Sequence, residues 1–306
     1  MIDKDLEQIN SILESEDSRV ELEKYYPEEY KKYISEQSLN EYRILPVLVV
    51  TAIIIGYVIE KLIKWIKEHK QKDIQELSTN LKKLDDKFVK ANAFFNFGGG
   101  GPKVKKFEKT DCEIRSIVLK DKDNPSKFYK LALDFLAYNP EYVTKNLEDC
   151  FRYCETLDAD AKASHLKVYR ETTLKTIYDS FMNKHWYILS TEPYCKSAMY
   201  KDVRVGEVLK TYKSWIDWIH DALKAYNEAL EVQLQYLQLC NQAYNNLTNK
   251  YGKEKEYKDT IDAIFKTVIK NTELSLEFNN KAFIILNDMV KFYTESLDAL
   301  IEKYKK

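Results

Sequence analysis

The stretch from Gly206 to Lys306 constrains the fold most. After Pro193 the chain has no proline, and after Gly206 it has one glycine, Gly252. A segment so poor in backbone punctuation does not make short strands, because their turns draw on Gly and Pro. The apolar positions fall at Ile216, Ile219, Leu223, Tyr226, Leu230, Leu237, Cys240, Tyr244, Leu247 and Tyr251, with Gln233 as one polar member. The steps alternate between three and four, which is coiled-coil spacing, and a single polar seam residue is a device for fixing register. Gly252 stands where a helix C-terminal cap belongs. A second run at Ile261, Phe265, Val268, Thr272, Leu276, Asn279, Phe283, Leu286, Val290, Tyr293, Leu297, Leu300 and Tyr304 keeps the rhythm. Two helices joined at Gly252 must fold back as an antiparallel hairpin, each arm roughly 65–75 Å long at about 1.5 Å per residue.

The whole composition agrees with a helical chain. Only 7 Gly and 6 Pro occur in 306 residues, a length that suits two domains or one elongated one. Lys plus Arg number 48 against 49 Asp plus Glu, a net charge of −1. That balance argues against a dedicated nucleic-acid binder, which carries a basic excess. Six of the 48 basic residues are Arg, leaving 42 Lys, the bias that AT-rich coding produces. The 5 cysteines are Cys112, Cys150, Cys154, Cys195 and Cys240. An odd, scattered set points to free thiols in a reducing compartment rather than to a disulfide framework. No signal peptide is legible.

Residues 1–43 hold 12 acids and 6 bases and form an acidic helical arm. Residues 44–59 contain no charge, and Leu62, Ile63, Trp65 and Ile66 extend the apolar face among lysines. A spanning helix needs about 20 apolar residues; lysine snorkelling and an interfacial Trp would carry 44–66 to that length. Ile44, Leu48, Ile53, Ile54, Ile55, Val58, Ile59 and Trp65 are therefore the expected membrane segment. From Glu60 to Thr110 there are 13 Lys against 7 acids. By the positive-inside rule an inserted helix would leave 67–306 on the cytoplasmic-like side.

A basic amphipathic helix follows over 67–97, with Ile74, Leu77, Leu81, Leu84 and Phe88 in step. Gly98–Gly101 lack the pattern of a phosphate-binding loop and mark a hinge. Residues 98–126 form this hinge and an irregular segment with one or two short strands. A helical domain is expected over 127–205, with Pro193 and Gly206 marking the connection to the hairpin over 206–306. The expected fold class is mainly α: an elongated helical protein with a coiled-coil-like C-terminal hairpin, one hydrophobic helix near the N-terminus, and at most a short β segment near 103–120.

Chemistry is sparsely signalled. His69 and Asp73 lie four apart on one helix face, and Asp217-x-x-His220 has the spacing of half a di-metal carboxylate motif. Such a centre needs a second matching motif, and none exists. Cys150 and Cys154 share a helix face without a histidine partner nearby, which suits buried small apolar residues. Cys195 with His185 is the one Cys–His candidate for a nucleophile, without a supporting motif. HExxH, GxSxG, P-loop and kinase patterns are missing. The lysines of 61–109 are broken up by Glu68, Asp73, Glu76, Asp85 and Asp86, which fits a solvated face or an anionic lipid surface. Of the 23 Tyr, Tyr178, Tyr212, Tyr226, Tyr236, Tyr244 and Tyr293 lie on or beside helical seams, as interface residues do.

The sequence thus predicts a non-catalytic structural subunit of a larger assembly, without cofactor or metal. Its partners are other protein subunits, in a homo- or hetero-oligomer, and a lipid bilayer reached through 44–66; nucleic acid is not expected. Two settings suit it: the inside of a virus particle, or an accessory place in a membrane complex. In outline, a long helical hairpin with one hydrophobic stretch resembles the α-helical pore-forming toxins, which implies a soluble protein that later inserts. An enzyme with a dispersed site is the third alternative.

Overall fold

A computed structural model describes residues 46–96, 107–114, 136, 139–189, 193–200 and 204–304. Helix α1 (Pro46–His69) continues through a π-helical turn (Lys70–Ile74) into α2 (Gln75–Asn96). Strand β1 (Phe107–Ile114), helices α3 (Pro140–Cys154) and α4 (Ala159–Leu189), strand β2 (Pro193–Tyr200), and the long helices α5 (Val205–Tyr251) and α6 (Lys255–Tyr304) follow. Among the described residues the chain is almost entirely helical. It divides into two compact units. The first contains 46–66, 136, 139–184 and 232–277 of the described chain, and the second 67–96, 107–114, 185–189, 193–200, 204–231 and 278–304.

In the first unit, the start of α3 is written in its sequence. The Asn139 side chain accepts from the Glu141 N–H at 2.8 Å, and Pro140 occupies a first-turn position that needs no N–H. Val143, Leu147, Cys150, Phe151 and Cys154 then bury one face. After a turn over 155–158, Asp158 caps α4 by accepting from the Ala161 N–H at 2.8 Å.

The turn between α5 and α6 depends on Gly252. Its N–H donates to the Thr248 carbonyl at 2.8 Å, and a Cβ there would lie 2.4 Å from that same oxygen. Away from the turn, Tyr244 donates to Asp262 at 2.8 Å and Gln233 to Ser275 at 2.6 Å. The two segments therefore run antiparallel. Along α6 the enclosure is wider than a two-helix seam: Lys258, Thr260, Asp262, Asn271, Thr272, Glu273 and Ser275 are buried together with the apolar positions. A helix covered on most of its circumference is packed by more than one neighbour.

In the second unit the Tyr212 and Tyr293 rings meet edge-on at 5.3 Å, and Phe95 and Tyr304 at 6.4 Å. Leu77, Leu81, Leu84 and Phe88 of α2 are buried, in the rhythm expected of them. The β ribbon also belongs here. β1 pairs antiparallel with β2, Phe107 opposite Tyr200, Cys112 opposite Cys195 and Ile114 opposite Pro193. A strand at 107–114 lies within the expected region, but its partner at 193–200 falls in a segment read as a connection. Strand pairing is a long-range choice that local patterning does not encode.

The expected membrane-spanning helix requires correction. Among the described residues no helix is long and apolar enough to cross a membrane. Glu60, Lys61 and Lys64 interrupt α1 after the uncharged run, and among its described side chains Ile55, Val58, Ile59, Leu62, Trp65 and Ile66 are buried. Leu48, Ile53 and Ile54 belong to α1, but their side chains lie outside the described residues, as do Ile44, the acidic arm 1–43 and the Gly98–Gly101 hinge.

Candidate functional site

Ile216, Ile219, Tyr226, Leu230, Gln233, Leu237 and Tyr244 are buried, whereas Leu223 is half-buried. Gln233 spends its amide on Ser275, one of the buried polar side chains of α6. The chemistry-bearing side chains fall into three groups, described unit by unit.

The first group is a buried charge pair on α6. Lys258 Nζ lies 2.7 Å from Asp262 Oδ2, with both side chains at least nine-tenths buried. Tyr244 donates to the other carboxylate oxygen. Burial pushes the Asp262 carboxyl above its ordinary range, against the lowering influence of Lys258 and Tyr244. Tyr244 is likewise pushed up, by burial first and then by Asp262. A buried pair of this kind balances charge, with the second carboxylate oxygen taken by Tyr244.

The second group, in the other unit, is centred on His69 at the entrance to the π-helical turn. His69 Nδ1 lies 2.6 Å from Asp73 Oδ2, and Nε2 lies 2.7 Å from the Tyr226 hydroxyl. The Phe283 ring meets the imidazole edge-on at 4.7 Å. None of Lys70–Ile74 is buried, so the extra residue of this turn carries the chain over the surface between buried His69 and buried Leu77. Such π turns recur at functional sites. Here both ring nitrogens are engaged, which fixes the imidazole. His69 and Asp73, noted as sharing a helix face, are in contact; the contact with Tyr226, 157 positions away, has no signal in the sequence. Asp217 and His220 do not converge on one site: Asp217 pairs with Lys213, and His220 Nε2 lies 2.8 Å from Asp85.

The third group overturns the reading of Cys150 and Cys154 as thiols without a histidine. The turn over 155–158 folds α4 back beside α3, so that His165 joins them. The two sulfurs and an imidazole nitrogen lie within 4.8 Å of one another. Both cysteines are free and buried, and His165 is half-buried. Burial, then the neighbouring Cys154 sulfur, pushes the Cys150 thiol up to about 12. Burial also raises Cys154, with Lys162 and Glu256 as the charges near it.

The corner is well braced. Phe151 packs on Tyr251 at 5.0 Å and on Tyr257 at 4.4 Å. Lys250 pairs with Glu148 at 2.8 Å and Lys162 with Glu254. Lys162 also lies over the Tyr257 ring, 4.1 Å from its centroid. A Cys-x3-Cys spacing followed by a histidine just beyond a predicted helix break is the sequence signal that would have found this group. Side chains of His185 and Cys195 lie outside the described residues.

No protein-family model, curated protein or solved structure matches the chain.

Proposed function

We propose that this protein is a non-catalytic helical scaffold, a structural subunit that assembles with further protein chains, copies of itself first among them. The observation that carries the reading is the pair α5 and α6, 47 and 50 residues long, against a usual helix length of about 10–14 residues. Helices of that length, with buried seam positions along both, suit a coiled-coil-like hairpin that presents an extended face. Val232 and Leu239 lie two helical turns apart on α5, and both are exposed; they are the positions on this helix where a partner chain would pack.

A protein partner is favoured over a bilayer because the α1 side chains that would meet lipid, Ile55, Val58, Ile59 and Trp65, are already covered. Sedimentation velocity over a wide micromolar range tests the reading. The expected result is concentration-dependent oligomers that dissociate in a Val232→Lys/Leu239→Lys double variant of unchanged helicity. A chain that stays monomeric throughout, and floats with anionic liposomes through residues 44–66, would replace the scaffold with a membrane-surface protein.

A further inference from the structure

We propose that Cys150, Cys154 and His165 form a zinc site that pins the end of α3 to α4, independently of the scaffold reading.

Geometry is the first argument. Tetrahedral zinc, with bonds of about 2.3 Å to sulfur and about 2.0 Å to nitrogen, sets its sulfurs about 3.8 Å apart and each sulfur about 3.5 Å from the nitrogen. The three donor atoms already lie within 4.8 Å of one another. Closing the triangle therefore needs small rotations about the side-chain torsions, with no movement of the helices. Cys150 and Cys154 are one helical turn apart on α3, and the cap at Asp158 fixes where α4 starts, hence where His165 comes round.

Donor chemistry is the second. Two thiolates and an imidazole select a borderline-soft ion; magnesium and calcium take oxygen ligands instead. On binding, each thiol forms a sulfur–zinc bond and releases its proton to solvent, while the imidazole binds through a neutral nitrogen. Two negative sulfurs and one divalent cation give an uncharged centre. That neutrality matters at a buried position. The zinc-bound pair of thiolates carries no net charge into the interior. His165 is half-buried, so water can complete the fourth position. The consequence is a cross-link at the corner that Phe151, Lys162 and Lys250 brace against the turn between α5 and α6.

The test uses the reduced, full-length chain stripped of metal, titrated with cobalt(II) alone and then with zinc(II) against a chromophoric chelator. One ion per chain is expected, with the sulfur-to-cobalt charge-transfer band and the intense d–d bands of a tetrahedral site, displaced by zinc. His165→Gln and Cys150→Ala should each weaken zinc binding by at least about tenfold, since the loss of even an outer-shell partner costs about 10–100-fold. Cys240→Ala should leave the spectrum unchanged. Zinc should raise the thermal midpoint of the wild type and not that of His165→Gln, whose half-buried position makes it the variant that folds if the Cys150 change does not. Absence of the charge-transfer band, or its survival in both His165→Gln and Cys150→Ala, would overturn the proposal.

Discussion

Compare how the two units bury polar groups. In the unit containing α3, the charged and thiol groups have partners close along the chain: Lys258 and Asp262 are one helical turn apart, as are Cys150 and Cys154, and His165 follows across one short turn, while Gln233 and Ser275 meet between α5 and α6. In the other unit, His69 finds one partner locally, in Asp73, and the other in Tyr226, which belongs to a helix far along the sequence. Helical packing is common to both. The charge pair and thiols of the first are brought together by helix formation itself, whereas the buried imidazole of the second waits for a distant segment to supply Tyr226. A close pair on one helix forms with that helix. A bond such as His69–Tyr226 requires α1 and α5 to be assembled first.

The largest expected effect probes the local design at its most buried point. Lys258→Met leaves Asp262 without its cation and should cost about 3–5 kcal/mol at neutral pH, the usual penalty for orphaning one member of a buried pair. Denaturant unfolding measures it. The deficit should shrink on acidification. Losing Lys258 removes a lowering influence from a carboxyl that burial already raises, and a group with a raised folded pKa contributes stability below its unfolded pKa that is lost as pH climbs through the folded one. Lys258→Met/Asp262→Leu, which removes both charges, should return to within about 1 kcal/mol of the wild type. A double variant as unstable as the single one would show that the pair is more than charge balance.

Tyr226→Phe attacks the long-range design. It leaves His69 Nε2 buried without the hydroxyl and should cost about 1–3 kcal/mol. Asp73→Asn should cost under about 1 kcal/mol, because the Asp73 side chain is 43% exposed and exposed pairs contribute little. Measured by the same unfolding curves, the reverse order would make the local partner dominant in this unit too. Gly252→Ala should cost about 1–2 kcal/mol through its contact with the Thr248 carbonyl. Smallest is Lys213→Ala, which removes an exposed pair with Asp217 and should change stability by no more than about 0.5 kcal/mol.

Much of the helical framework was legible from residue spacing. A lack of Pro and Gly after Gly206, with three-four steps from Ile216 onward, is a direct statement about backbone and buried face, because both are properties of neighbouring residues. Burial of Leu77, Leu81, Leu84 and Phe88 on α2 follows for the same reason. The π-helical turn that precedes them was not legible, since one added residue in a turn leaves no compositional mark. Nor was the partner of β1, because pairing joins segments whose local patterns are silent about each other.

The apolar run after Ile44 illustrates the limit of composition. Hydrocarbon side chains have the same preference for a protein interior as for a bilayer, so the letters of 44–66 state that the face leaves water and not where it goes. Among the described side chains of α1, Val58, Ile59, Leu62 and Ile66 are buried within the chain's own fold. The thiols of α3 show the complement. Their i, i+4 spacing placed both on one face, but whether a histidine stood beside them was set by the angle at which α4 returns from the turn over 155–158.

By itself, then, the sequence determined which segments are helical and which of their faces are apolar, because hydrogen bonding and side-chain periodicity along a helix are local. Tertiary structure alone decided what each face meets: Tyr226 for His69, β2 for β1, and His165 for the two cysteines. Those meetings depend on the packing of segments separated in the chain, where free energy is shared among many weak contacts and no single residue pattern records the outcome.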